Sequence, residues 1–198
     1  MAFSIVSPQA QAASPLSAIV KAQQGIDACD SDQFNQAVDV PSVVNKASDA
    51  LLKALRRQAE EGTLGDSNIG MALALAGMAE EAGQGGIIRQ LLLSEVKGFV
   101  ATGINGGYFA GRPNNTVQAP RGSLASTLEK LPPGRREIAP GKVLSDKDGR
   151  ALVTGTFADP KAGRLPLELA LEKQNGQWRI VEITNAQALF EETARRGR

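Results

Sequence analysis

The sequence predicts an α+β domain: a helical N-terminal half packed on a curved antiparallel C-terminal sheet of about four strands, closed by a final helix. Three observations carry this. Leu165, Leu167, Leu169 and Leu171 alternate along one run, as in a strand with one buried face. Asn175-Gly176 then separates that run from a second β-prone run, Trp178 to Ile183, which is the strongest short-range hairpin signal. Before residue 100 the apolar residues instead recur at helical spacing between Gly and Pro breaks. A one-sided sheet beside helices is the layout of a cone-shaped domain whose interior can hold a ligand.

In chain order, residues 1–13 read as a disordered leader or a signal-peptide remnant. Met1 to Val6 is apolar, and Ala10-Gln11-Ala12 before Ala13 has the small-x-small spacing of a cleavage site. Residues 14–198 read as a single cone-like α+β domain, with a helical part over 14–131 and the sheet and final helix over 132–198. Ser14-Pro15 opens a helix with Leu16, Ile19, Val20 and Ile26 on one face through about Cys29. Cys29, the only cysteine, reads as a small buried hydrophobe. Asp30-Ser31-Asp32 caps a short helix around Phe34 and Val38.

After Asp39-Val40-Pro41 comes a helix with Val44, Leu51, Leu52, Leu55 and Ala59 inward, stopped by Gly62. A turn over Thr63 to Asp66 and a weak helix around Ile69 to Met78 follow, then Ile87 to Ala101 as a further helix. Residues 102–122, rich in Gly, Asn and Pro around Tyr108 and Phe109, read as a long loop of functional or disordered character. Ser123 to Leu131 reads as a short helix. The strands are Glu137 to Leu144, an edge because Pro140 sits inside it, then Ala151 to Ala158, Leu165 to Lys173 and Trp178 to Thr184. Ala186 to Arg195 closes the chain.

Composition removes several kinds of chemistry. The chain has no histidine, which excludes a Ser-His-Asp triad, His-ligated zinc and a histidine pH switch. No metal site or cofactor is predicted. Aromatics are 4% of residues and are not interleaved with the basic ones, so nucleic-acid binding is not expected. The first hundred residues carry 7 basic and 11 acidic side chains (−4), and the remainder 15 and 10 (+5). The scattered cations of the second half, among them Arg135 and Arg136, read as a solvated face. No run approaches the ~20 apolar residues of a transmembrane span.

The hairpins also suggest a register. A two-residue turn at Asn175-Gly176 puts Glu172 opposite Arg179, a favourable solvated pair, and Leu169 opposite Glu182. Closing the previous hairpin at Ala158 and Leu165 puts Thr154 beside Leu169. Thr154, Leu169 and Glu182 then form a row on the apolar side, with Trp178 nearby. A carboxylate there has its charged form disfavoured, as in a pocket acid or base, and arginine is its expected partner. The alternative is a β-bulge near Val181, turning Ile183 inward and Glu182 outward.

The segments Ala18-Ile19-Val20, Asp32-Gln33-Phe34 through Val38-Asp39, Leu167-Glu168-Leu169 and Gly176-Gln177-Trp178 through Ile183 resemble nuclear-transport-factor-2-like (cystatin-like cone) domains. More narrowly, the chain resembles a bacterial family of unassigned activity, often exported, with an enlarged helical segment before the sheet. The resemblance implies a cone fold that serves isomerases, dehydratases, small-ligand binders and accessory domains, and implies architecture rather than chemistry.

Three functional readings follow. The first is a binding or accessory domain of the bacterial envelope, periplasmic or secreted, with cytoplasmic location as the alternative. It would hold an apolar small molecule or lipid against Thr154, Leu169, Trp178 and Glu182, or dock a partner protein on its sheet. The second is a small isomerase or dehydratase with Glu182 as general base and Tyr108 as oxyanion donor. The third is a homodimer formed through an outer sheet face of Val153, Phe157, Val181 and Ile183.

Overall fold

The computed structural model describes residues 14–48, 85–114, 117 and 123–196. The expected leader, the distal part of the helix ending near Ala59, the turn at Thr63, the helix around Ile69 to Met78, and 115–116 and 118–122 of the long loop lie outside the described residues.

Helix α1 spans Leu16–Ala28 and buries Ala18, Ile19, Ala22, Gly25 and Ile26. Val20, expected on that face, is exposed. Small residues take its place because α1 meets its neighbour at close range: a Cβ on Gly25 would stand 2.6 Å from the backbone nitrogen of Phe34. Cys29 ends α1 in the left-handed region (φ 56°), and the Cys29 and Asp30 N–H groups donate to Ile26 and Gly25 carbonyls. Cys29 is therefore half-buried at a corner rather than packed inside. The next helix, α2 (Ser31–Ala37), is capped by the Asp30 carboxylate, which accepts from the Asp32 and Gln33 N–H groups.

Val38 then runs beside the sheet as a parallel bridge to Ile180, and the Asp39 N–H donates to the Ile180 carbonyl at 2.9 Å. Asp39 caps a third helix, α3, over residues 40–48, accepting from Ser42 N–H. Helix α4 covers Gly85–Asn105, longer than expected, so the first part of the anticipated loop is helical. Residues 106–114 are a stack of hydrogen-bonded turns, with Phe109 N–H on Gly103 O and Arg112 N–H on Gly107 O. A 3₁₀ helix covers Leu124–Lys130.

The strands β1 (Glu137–Lys147), β2 (Arg150–Asp159), β3 (Gly163–Gln174) and β4 (Gln177–Ile183) form an antiparallel meander in the order β1-β2-β3-β4. Two hairpin turns, Asp148-Gly149 and Asn175-Gly176, place both central residues at positive φ, as the twist of the flanking strands requires. Helix α5 (Ala186–Arg196) closes the described chain, and the Arg196 guanidinium donates to the carbonyls of Ala162 and Arg164 at the β2–β3 turn.

One face of the sheet carries Val153, Leu167, Leu169, Leu171, Trp178 and Ile180 into a core shared with Ile19, Ile26, Phe34, Val44 and Ile104. The opposite face holds Thr156, Glu168 and Glu172. At the sheet's end, Arg136 is buried rather than solvated: its Nε lies 3.0 Å from Asp159. Arg135, more exposed, forms two hydrogen bonds to the Asp27 carboxylate, which raise its pKa further above the usual arginine value.

Candidate functional site

The register decides which residues can form a site. In β2–β3, Val153 pairs with Leu169 and Thr154 with Glu168, one residue away from the expected alignment. The reason is the turn: Asp159 pairs with Gly163, and its carboxylate accepts from the Lys161 and Ala162 N–H groups. That Asx-turn closes the hairpin earlier than a loop ending at Leu165 would. A slip of one residue exchanges the two faces of a strand. Thr154 therefore looks away from the core.

In β3–β4 the pairs Glu172–Arg179 and Leu171–Ile180 stand as expected, but Leu169 pairs with Ile183 and Ala170 with Glu182. The register shifts between Ala170 and Leu171, so Val181 is the extra residue of a bulge. The bulge alternative thus holds: Ile183 packs against the core and Glu182 turns to the outer face. The row of Thr154, Leu169 and Glu182 becomes Val153, Leu169 and Ile183, wholly apolar.

The five candidate residues accordingly part company. Leu169 and Trp178 are core residues. Thr154 clasps the irregular edge strand, accepting from Lys142 N–H at 2.9 Å and donating to Lys142 O at 3.4 Å. Gly141 beside it is obligatory, since a Cβ would fall 2.6 Å from the Thr154 hydroxyl. Tyr108 lies in the turns after α4, with its ring against Gly106 and its carbonyl accepting from Arg136. Tyr108 and Glu182 share no described partner. The surface expected to form a dimer also dissolves: Val153 is fully buried, and Phe157 and Ile183 pack on the core.

Glu182 instead meets Lys46 of α3, Oε2 to Nζ at 3.1 Å, with Lys46 exposed and Glu182 partly so. Arginine is the partner expected of an inward-facing Glu182; the outward-facing carboxylate pairs with lysine. Lys46 and Glu182 line an open depression of about 300 Å³ together with Arg150, Glu172 and Ala170, where the buried Ala151, Leu171 and Val181 also reach its wall. Arg150 and Glu172 pair at 3.7 Å. Arg179 turns away from Glu172 to donate to the Asn35 and Val38 carbonyls at the end of α2.

Two cations and two anions thus surround an open depression, and Glu182 does not stand in a water-free pocket beside the apolar candidates. Sequence reasoning missed Lys46, Arg150 and Glu172 as site residues. Only the Glu172 position on the outer face had a local signal, its alternation with the leucines. Among the described residues, no cluster of three or more acidic or cysteine side chains could hold a metal.

Exposed ion pairs contribute about 0–1 kcal/mol, so Glu182→Gln should change the unfolding free energy by less than about 1 kcal/mol in urea. A loss above about 2 kcal/mol would mean that Glu182 is desolvated. Scans against protein-family models, characterised proteins and solved structures each found no match to this chain.

Proposed function

We propose that this protein is a binding or accessory domain of the bacterial envelope that acts through its surface and does not turn over a substrate. One observation supports this above the others: the only acid assigned to the expected pocket, Glu182, sits across the sheet from Leu169 and Trp178, in an ion pair with Lys46. General acid–base catalysis needs the titrating group beside the reacting atoms in a site that excludes water. The apolar candidates are used up in core packing, which also weakens the reading of a lipid held inside a cone. The depression beside Lys46 and Glu182 is then the surface for a partner. The envelope placement rests on the resemblance and on the Ala10-Gln11-Ala12 spacing.

Native mass spectrometry of gently purified protein tests the interior. The expected spectrum is the bare chain with no apolar adduct. A stoichiometric lipid or acyl adduct that survives desalting would restore the ligand-holding cone and overturn the surface reading.

A further inference from the structure

Helix α5 takes the place of a strand, and little apolar surface holds it there. β4 ends at Ile183, opposite Leu169, while β3 begins at Gly163, so residues 163–168 have no strand on that side among the described residues. Such an edge leaves backbone groups in need of partners. Alternate residues turn those groups toward the gap, here Glu168, Pro166 and Arg164. The Thr184 N–H donates to Glu168 O at 2.8 Å, and with it the main-chain ladder stops. Beyond that point side chains take over. Asn185 Oδ1 accepts from the Glu168 N–H at 3.0 Å, and Asn185 Nδ2 donates to Pro166 O at 2.9 Å. One carboxamide thus stands in for the Thr184 carbonyl and Ala186 N–H that a continued β4 would supply. At the far end of α5, one Arg196 nitrogen donates to Ala162 O at 2.9 Å and Arg164 O at 3.2 Å, while its Nε is held by the Glu192 carboxylate one turn back.

We propose that α5 is a displaceable cover on the β3 edge: it lifts away as one unit while the four-stranded sheet stays folded, and its lifting uncovers the Glu168 N–H and the carbonyls of Ala162, Arg164 and Pro166. Both tethers are side-chain hydrogen bonds to main chain, one at each end of the helix. Among the described side chains of α5 only Ala186 is buried, and Leu189 packs partly against the core. Elements with few buried apolar contacts open locally at a small fraction of the cost of global unfolding. The sheet, by contrast, is fixed by Val153, Leu167, Leu169, Leu171, Trp178 and Ile180 on its inner face.

The edge also suits this occupant better than a strand. Pro166 has no N–H, so a backbone laid along residues 164–168 would find no donor at its centre. Side-chain donors carry no such demand, and the Asn185 carboxamide and Arg196 guanidinium match the carbonyls that remain. The inference rests on α5 and β3 alone and does not depend on the partner surface near Lys46.

Hydrogen exchange of the full chain, followed amide by amide by NMR, tests it. In the wild type the Glu168 and Leu189 amides should be protected to within about threefold of each other and at least about tenfold less than the Leu171 amide. Arg196→Ala should speed exchange at Glu168 about fivefold, although the bonds it removes are to Ala162 and Arg164, and should leave Leu171 within about twofold of wild type. Asn185→Ala should do the same to Leu189 from the other end. That coupling between the two ends is what a helix moving as one body requires, and a merely local loss of a bond would not produce it. Equal protection of Glu168 and Leu171 in the wild type would mean that the helix leaves only when the whole domain unfolds, and overturns the proposal. So does an Arg196→Ala variant in which Glu168 is unchanged, or one in which Leu171 accelerates with it or the fold is lost.

Discussion

Val153→Asp should abolish the folded state at neutral pH or come close to it. Val153 is fully buried, paired with Leu169 and set in the cluster beneath α1. An aspartate there has no cation in the described core cluster to pair with, so it would have to enter neutral. Holding a carboxyl neutral at pH 7 against an unfolded pKa near 3.9 costs about 4 kcal/mol, and losing the valine burial adds about 1.5 kcal/mol. That is comparable to the whole stability of many domains.

The sign of the pH dependence follows from the raised pKa. The carboxyl penalty is absent below the unfolded value and grows as pH rises toward the folded one. The variant should therefore regain most of its lost stability, relative to wild type, as pH falls from 7 to about 4. Thr154→Asp, one residue along on the other face, should cost no more than the clasp on Lys142, about 1 kcal/mol. Urea unfolding of the two variants checks the register directly. If Val153→Asp were mild and Thr154→Asp ruinous, the strand faces would be the reverse of those described.

That contrast also shows where the sequence is legible. Element positions were readable because their signals are local. The leucine alternation needs no distant partner, and Asn175-Gly176 supplies the two positive-φ residues its hairpin demands. The buried set Leu165, Leu167, Leu169, Leu171, Trp178 and Ile180 followed from that pattern.

Face assignment beyond this set was not readable, because it hangs on single-residue details. In β2 the run Val153-Thr154-Gly155-Thr156-Phe157 has a clear period, yet its phase against β3 depends on an Asx-turn at Asp159. In β4, Val181 and Ile183 flank Glu182 symmetrically, so the apolar pattern is nearly the same with or without the bulge. Pairs between distant segments leave no periodic trace at all. Lys46 with Glu182 and Arg136 with Asp159 are of this kind. The candidate site therefore failed at its polar members, while its apolar members landed in the core.

Arg136→Met should lower stability by about 3–5 kcal/mol, the cost of breaking a buried ion pair by removing one partner. Asp159 is held from two sides: one oxygen takes the Lys161 and Ala162 N–H groups, and the other lies 3.0 Å from Arg136 Nε. The remaining guanidinium nitrogens donate to the carbonyls of Tyr108, Gly134 and Pro132, and the Arg136 N–H donates to Phe109 O. One side chain thus joins the turns after α4, the Pro-Pro-Gly segment and the end of β2. Methionine can fill the volume but leaves three carbonyls and one largely desolvated carboxylate without their donor.

For a chain of this length the melting temperature should fall by about 2–4 °C per kcal/mol, so by about 6–20 °C in all. Asp159→Asn keeps an oxygen for the turn and removes the charge, and should cost less. Combining the two substitutions should cost less than their sum, because the second removes the charge that the first left stranded. Strict additivity in that double-mutant cycle, or a loss below about 1 kcal/mol in Arg136→Met alone, would mean that water reaches the pair and that the segments are joined by something else.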